Sequence, residues 1–423
     1  MLNLLISLII LILLITYNIY TFKKNKHVYK SELFSKIKKI KILCYIISII
    51  IFITFFIINL IPLGNNPTIK QTLTCLVNSL SVALLSVPIS LETLYLRFFN
   101  NEEKYSHIKT VITNIYDENI INKFNESDIN VILLSGKRTK LKTINEDKIT
   151  SNILMETIQI KTKDLKILNK KINKENTIKE FNNLEDLYIK IEQSRGNHDN
   201  YIRTIKYLVS TYLSIILSYI FISIMSFPIY YNLLVICMLK IFTTLKTEYI
   251  FKHLPYDKDI MTRKVKPNHI IMGKQETMFL IMESFIISFA ITIPYMYILA
   301  SGGSLAFAST MSIVIILIIN TLLPYYYLND SSYIINLFRE IKNIRLHIFT
   351  IITIIFILIF NFTTYFETKN ITLYNNLGSL AISAIFITIL EIPKIARFTS
   401  KKGKKKHEHK NNKKQRRSQS NHS

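Results

Sequence analysis

The chain has 423 residues, of which 49% are hydrophobic and 19% charged, with only 8 glycines, 9 prolines and a formal net charge of +25. A mean hydropathy of +0.27 with so few turn-forming residues argues against a soluble domain and indicates an integral membrane protein whose apolar residues lie in long runs. The three cysteines all lie inside such runs, which argues against a disulfide scaffold and leaves no metal-ligand spacing among them.

Nine apolar runs have the length that a helix needs to cross a bilayer, which is about 20 residues for a hydrocarbon core of about 30 Å. In chain order they are 1–20, 42–63, 73–96, 205–227, 229–251, 278–299, 305–328, 348–366 and 373–395. The predicted fold class is therefore an all-α polytopic membrane protein with nine transmembrane helices. The connecting segment 97–204 is large enough to fold outside the membrane, and it predicts a small, reduced cytoplasmic insert that is either α/β or mostly helical.

The segment 97–204 shows few features of a catalytic or nucleotide-binding domain. It contains one short apolar strand candidate, 129–134, followed by polar, helix-like sequence. The residues that remain after this strand are too few for a large nucleotide-binding module. The sequence has no glycine-rich phosphate-binding loop of the P-loop or dinucleotide type.

The distribution of Lys and Arg among the connecting loops predicts the orientation in the membrane. One set of loops contains nearly all the basic residues, and the other set has only Lys70 and Lys369. The basic set is 22–41, 97–204, 252–277, 329–347 and the tail after Pro393. We therefore expect a multi-pass protein of the cell (plasma) membrane with its N-terminus outside and its C-terminus in the cytoplasm. Because topology accounts for most of the net charge, no nucleic-acid partner is expected.

The two ends of the chain are predicted from their charges. The first run has no basic leader, and the cluster Lys23, Lys24 and Lys26 follows it, which favours an uncleaved anchor over a degenerate signal peptide. The tail 401–423 is strongly basic and is predicted to be disordered. Its candidate partners are the anionic lipid of the bilayer or a partner protein, and the alternative is a tail that serves only orientation and solubility.

Several blocks of the sequence resemble P-type cation-transporting ATPases. Asn183–Arg195 and Asp199–Leu208 resemble, without a gap, that family's last cytoplasmic helix and the stalk of its fifth membrane helix, "DNFATIVAAVEEGR" and "YDNIRKFIRYL". Pro255–Arg263 resembles the "PPxxxIMxRPP" that follows the sixth helix. Two further similarities fall at 308–311 and 391–394, on the eighth and tenth helices, and weaker ones at 30–41 and 82–88, on the third and fourth. The resemblance implies helices three to ten, with a single helix in place of the first two.

The resemblance also implies a domain organisation in five parts. These are a membrane anchor (1–21), a pair resembling the third and fourth helices (22–96), a cytoplasmic loop reduced from the phosphorylation domain (97–204), a six-helix C-terminal membrane domain (205–397) and a basic disordered tail (398–423).

A P-type pump needs the aspartate nucleophile of "DKTGT", which attacks the γ-phosphate of ATP. Aligned through the strand candidate, Ser135 takes the place of that aspartate and only Thr139 matches. A second candidate, Asp147 followed by Lys148, lacks the "TGT" that follows in the family. The "TGES" and "GDGxND" loops are absent from the sequence. The chain is therefore expected to be no enzyme and to use no cofactor, with Mg²⁺ and ATP relevant only if activity has been retained.

The resemblance places the family's cation ligands on residues that bind cations poorly. On the fourth helix Pro88 keeps the unwinding proline but Ile89 replaces the glutamate, and on the sixth "NxxTD" falls on Lys240–Thr244, where only Thr243 keeps its type. The candidates for a transport path are Pro88, Glu92, Lys240, Thr243 and Thr244, and no metal site is predicted. Lys240 is expected either to act as a built-in cation paired with Glu92 or to extend toward the cytoplasm near Lys246.

Three functions follow as hypotheses. The first is a catalytically inactive relative of P-type cation-transporting ATPases that acts as a structural or interaction protein. The second is a passive ion or solute transporter that uses the remaining polar residues. The third is the membrane subunit of a split cation pump whose catalytic domains come from another chain.

Overall fold

The structure is a computed structural model. It describes residues 32–60, 68–86, 94–95, 98–99, 105–106, 108, 110–113, 117–127, 129–133, 155–156, 177–178, 184–228, 233–257, 259–262, 272–328, 332–340, 343–362, 369 and 371–392, together with positions 9, 12, 13, 16 and 20.

Helices dominate the described residues. They are α1 (Glu32–Leu60), α2 (Ile69–Ser86), α3 (Glu118–Glu126), α4 (Leu184–Ile224), α5 (Leu233–Tyr249), α6 (Lys274–Ala300), α7 (Leu305–Tyr327), α8 (Tyr333–Arg339), α9 (Ile344–Phe362) and α10 (Leu373–Ile392). A 3₁₀ turn, Phe251–His253, follows α5. Two short parallel strand pairs join β1 (Thr110–Thr113) to β2 (Asn130–Leu133) and β3 (Met155–Glu156) to β4 (Thr177–Ile178).

Five of the described helices are long and apolar enough to cross a membrane, or six if the bent pair α8 and α9 forms one span. The five are Lys39–Leu60 within α1, and α4, α6, α7 and α10, while the two helices of the bent pair meet at 112°. The protein is thus a helical, membrane-embedded protein, as its composition predicts. The predicted runs 73–96 and 229–251 correspond to α2 and α5, whose apolar parts are shorter, and most of the run 1–20 lies outside the described residues.

The spanning helices differ in how much of their surface is covered by protein. In α7, 72% of the apolar 18-residue stretch is buried inside the bundle, whereas in α1 only 6% of the corresponding stretch is buried. In lipid, every backbone and hydroxyl group must find a partner within the protein. Many of the buried serines and threonines of these helices donate back to a carbonyl one turn earlier, as Thr310 does to Ala306 at 2.7 Å. Helix α7 is therefore central in the bundle, and α1 faces lipid over most of its surface.

Helix α4 is longer than a membrane requires. Its 41 residues extend about 60 Å at about 1.5 Å per residue, which is about twice the thickness of a hydrocarbon core. Its N-terminal part packs on a small β1–α3–β2 unit, and Leu184, Leu187 and Ile191 share an apolar cluster with Ile120 and Phe124 of α3. This first part of α4 thus forms a stalk outside the spanning bundle, and α4 runs without a break across the predicted domain boundary at 204/205.

The segment after α5 lies along this stalk and is fixed to it by four contacts. Arg195 donates to the carbonyl oxygens of Met261 (2.9 Å) and Ile108 (3.0 Å). Asn200 donates to the carbonyl oxygen of Leu254 at 2.9 Å. A methyl group added at Gly196 would come within 2.2 Å of the Tyr256 ring, so a larger residue here would displace that ring from α4.

The fourth contact is a buried ion pair between Arg203 and Asp257, which are 2.5 Å apart. Together the four contacts hold residues 254–261 against α4, and they thereby fix the end of α5 relative to the rest of the bundle.

Candidate functional site

Polar side chains converge inside the bundle where α4, α5, α6 and α7 meet. We call this set the intramembrane polar cluster. Its members are Tyr207, Ser210, Thr211, Tyr212, Lys240, Thr243, Lys246, Glu283, Asn320, Tyr326 and Tyr327. Polar groups at such a depth are costly, so their presence in a helix interior points to a functional region.

The first part of the cluster surrounds Lys246 of α5, whose side chain is only 1% exposed. The amine donates a hydrogen bond to the main-chain carbonyl oxygen of Asn320 on α7. It also lies over two aromatic rings, 5.4 Å from the centroid of Phe242 and 5.8 Å from that of Tyr207. A carbonyl oxygen and aromatic faces are neutral groups that attract a cation, so the lysine occupies a small cation-binding cage built by its own chain.

Asn320 links this cage to α4. Its side-chain oxygen accepts a hydrogen bond from the Thr211 hydroxyl at 2.9 Å, and its amide nitrogen donates to the Ile316 carbonyl at 2.8 Å. Both functional ends of the amide are therefore used within the protein, and three helices are connected through one residue.

The second part of the cluster surrounds Lys240, about two turns before Lys246 on α5. Its side chain is 2% exposed, and its amine lies 5.0 Å from the centroid of the Tyr212 ring. The Tyr212 hydroxyl and the Thr243 hydroxyl are 2.5 Å apart, and Thr243 also donates to the Lys240 carbonyl at 3.0 Å. The amine thus faces the interior of the bundle instead of extending along the surface toward its end.

The third part is a carboxylate bound by tyrosines. Glu283 of α6 accepts hydrogen bonds from the hydroxyl of Tyr326 at 2.6 Å and from that of Tyr327 at 3.1 Å. The Tyr327 hydroxyl also lies 2.9 Å from the Ser210 hydroxyl on α4. Tyr326 and Tyr327 at the end of α7 therefore bind α6 through the Glu283 carboxylate, and Tyr327 also binds α4 through the Ser210 hydroxyl.

The electrostatic character of the cluster follows from these groups. Two amines and one carboxylate stand among hydroxyl, amide and carbonyl groups, and the amines lie where α4, α5 and α7 converge. A divalent cation needs six or more oxygen ligands, and a lysine amine supplies none. Within the described ranges, no group of three or more His, Cys, Asp or Glu residues is placed to hold a metal ion.

The structure brings together three of the residues that the sequence singled out. Lys240, Thr243 and the partly buried Thr244 lie around Tyr212. The positions considered for phosphorylation, Ser135, Thr139, Asp147 and Lys148, lie outside the described residues, as do Pro88 and Glu92 on the fourth-helix match.

Two central members of the cluster were not predicted from the sequence. Lys246 stood out only as a neighbour of Lys240, and Asn320 did not stand out. A signal for Asn320 was available, because it is the only asparagine in the apolar run 305–328. Its partners, however, lie 74 and 109 residues away along the chain, which a local pattern does not reveal.

No protein-family model matches this chain, and no curated protein matches it significantly.

Proposed function

We propose that this membrane-embedded protein is a catalytically inactive relative of P-type cation-transporting ATPases, which acts as a structural or interaction protein and does not move ions. The observation that carries the proposal is the burial of two lysine amines in the interior of the bundle. Lys240 and Lys246 are 2% and 1% exposed. A pump or channel for cations needs oxygen ligands along its path, and a lysine amine supplies none there.

A second observation supports the relationship. Asn183–Leu208 and Pro255–Arg263, the two blocks that carry the resemblance most specifically, are adjacent in space. Arg195 bonds to Met261, and Arg203 pairs with Asp257. In a relative of these pumps, the stalk of the fifth helix and the loop after the sixth would be expected to pack in this way, because α4 and α5 are then their counterparts.

The finer topology belongs to the same proposal. It comprises nine spans, an insert at 97–204 reduced from a phosphorylation domain, and a location in the plasma membrane with the N-terminus outside. The basic tail after Lys401 then lies in the cytoplasm, where it meets anionic lipid or a partner protein.

A passive ion or solute path is the second candidate. The observation that favours it is the row of hydroxyl and amide groups formed by Thr211, Asn320, Thr243 and Tyr212 across three helices. A passive path predicts a flux of ions or solutes through the unaltered protein, whereas a closed scaffold predicts no such flux.

The membrane subunit of a split pump is the third candidate. It would need cation ligands where Lys240 and Lys246 lie, and the two amines disfavour it.

Incubation of the purified full-length protein with γ-labelled ATP and Mg²⁺, followed by an acid quench, tests the absence of catalysis. We expect no acid-stable label on the chain, because a serine in place of the aspartate nucleophile cannot form an acyl phosphate. A stable label that disappears in the Asp147→Asn variant would overturn the proposal and identify the nucleophile. The Ser135→Ala variant is the matched control, since it alters the aligned position without removing a carboxylate.

A further inference from the structure

A cluster of basic side chains lies at one end of the bundle, apart from the polar cluster in its interior. Lys252 and His253 belong to the 3₁₀ turn after α5, and Arg345 is the second residue of α9. We call these three residues the basic corner. Partial burial and the positive charges of Arg345 and Lys252 lower the pKa of His253.

The packing of α5 against α9 places the residues of the basic corner at about the same distance along the bundle from the contact between the two helices. The rings of Phe242 on α5 and Phe356 on α9 have centroids 5.2 Å apart. Lys252 follows Phe242 by ten residues, and Arg345 precedes Phe356 by eleven. The contacts of α4 with α5 and α7, and those of α7 with α9, show that α5 and α9 run in opposite directions. At about 1.5 Å per residue, each basic residue lies roughly 15 Å from the ring contact, which is about half the thickness of a hydrocarbon core.

Buried neighbours hold both sides of the corner in place. Phe251, next to Lys252, is 0% exposed, and Leu346, next to Arg345, is 2% exposed. Both belong to the main apolar core of the bundle. The basic groups therefore project from backbone that is fixed by packing, not from a mobile loop.

The charge of the corner is not neutralised by the described part of the protein. Among the described residues, no carboxylate forms an ion pair with Lys252, His253 or Arg345. The nearby Glu340 pairs instead with Arg339 at 3.3 Å. The corner thus presents a positive surface where lipid headgroups begin.

An apolar face of α9 continues directly from the corner into the membrane. Its residues recur at helical spacing and are all exposed on the outside of the bundle: Ile344, Ile348, Ile351 and Ile355. Tyr249 at the end of α5 is also exposed, and tyrosine is favoured at the boundary between lipid and water. Positive groups at the end of an apolar face match the arrangement of an anionic phospholipid, whose charged headgroup adjoins its acyl chains.

We propose that the basic corner and the apolar face of α9 bind an anionic phospholipid, whose headgroup contacts Lys252, His253 and Arg345 and whose acyl chain lies along Ile348, Ile351 and Ile355. Charge complementarity selects the headgroup, because basic residues near a membrane surface attract anionic lipid specifically. This site is separate from the basic tail after Lys401 and does not depend on the proposed relationship to pumps.

The chain has no tryptophan, so a single introduced tryptophan reports on the lipid beside it. In the full-length protein reconstituted in nanodiscs, Ile351→Trp places the reporter on the acyl-chain face about two turns from the start of α9. Met282→Trp places a control eight residues after the start of α6, as Ile351 is seven after the start of α9, and Met282 is 48% exposed. Quenching by brominated phosphatidylglycerol relative to brominated phosphatidylcholine gives the local lipid preference at each position.

We expect the preference for phosphatidylglycerol at Ile351→Trp to exceed that at Met282→Trp by about fivefold, the ratio that one basic residue near a membrane surface supplies. Adding Lys252→Gln, His253→Gln and Arg345→Gln to Ile351→Trp should reduce its preference for phosphatidylglycerol to that of Met282→Trp. Adding Lys404→Gln, Lys405→Gln and Lys406→Gln instead, which removes charge from the tail, should leave the preference at Ile351→Trp unchanged. Equal preferences at the two reporters in the otherwise unaltered chain would overturn the proposal, as would a preference that is lost only with the tail lysines.

Discussion

Replacing Lys240 and Lys246 together by glutamine should make the bundle permeable to monovalent cations, with a K⁺ flux at least tenfold above that of the unaltered protein. Two unit charges about 4 Å apart repel by about 4 kcal/mol at an effective dielectric constant of about 20. Since each 1.4 kcal/mol is about a factor of ten, even part of this barrier suffices for the expected rise. Glutamine removes the charge while keeping a donor for the Asn320 carbonyl, so the contact between α5 and α7 is preserved.

Reconstituted vesicles with a K⁺-sensitive dye measure this flux. The double variant Lys240→Arg and Lys246→Arg keeps both basic groups and should stay closed, and Lys274→Ala removes an exposed lysine from the start of α6 and should have no effect. If the folded double glutamine variant were as tight as the unaltered protein, the amines would not be what closes the bundle.

Replacing Arg203 by methionine should lower the free energy of unfolding by about 3 kcal/mol, because breaking a buried ion pair leaves a charge poorly compensated. The side chains of Arg203 and Asp257 are 6% and 7% exposed, and they are 2.5 Å apart. Arg203 also donates to Asn200 at 2.8 Å. Losing the arginine therefore releases residues 254–261 from α4 as well as leaving the carboxylate in a buried setting.

Denaturant unfolding in detergent micelles, with the variants Arg203→Met, Asp257→Asn and the double variant, measures the coupling between the two residues. We expect the double variant to lose less stability than the sum of the single ones, by about 1 to 3 kcal/mol. Arg339→Met is the matched control, because Arg339 is 48% exposed and its pair with Glu340 should contribute less than about 1 kcal/mol. Additive losses would mean that the pair does not act as a unit.

The spanning helices were the most predictable part of this fold. Apolar length is a property of the sequence alone, and the runs 278–299 and 305–328 correspond closely to α6 and α7. The strand candidate 129–134 was confirmed as β2, but its partner β1 was not predicted, because its four residues carry little pattern of their own. The described apolar parts of α2 and α5 are shorter than the runs predicted around them.

The contacts inside the bundle were less predictable, because they depend on how each helix is rotated and packed. Lys240 stood out by its charge, and Thr243 stood out only through the resemblance. The sequence left the direction of the Lys240 side chain open, and only the position of the Tyr212 ring placed its amine inside the bundle. The bonds from Lys246 and Thr211 to Asn320 join residues that are distant in the chain, and no local spacing predicts them.

The most direct test of the proposal that the bundle is closed to ions is the K⁺ flux through the unaltered full-length protein in vesicles with an imposed K⁺ gradient. A bundle closed by the buried amines of Lys240 and Lys246 predicts a flux equal to that of empty vesicles prepared in parallel. A protein-dependent flux well above the empty vesicles, at neutral pH and without ATP, would contradict the account and establish the passive path instead.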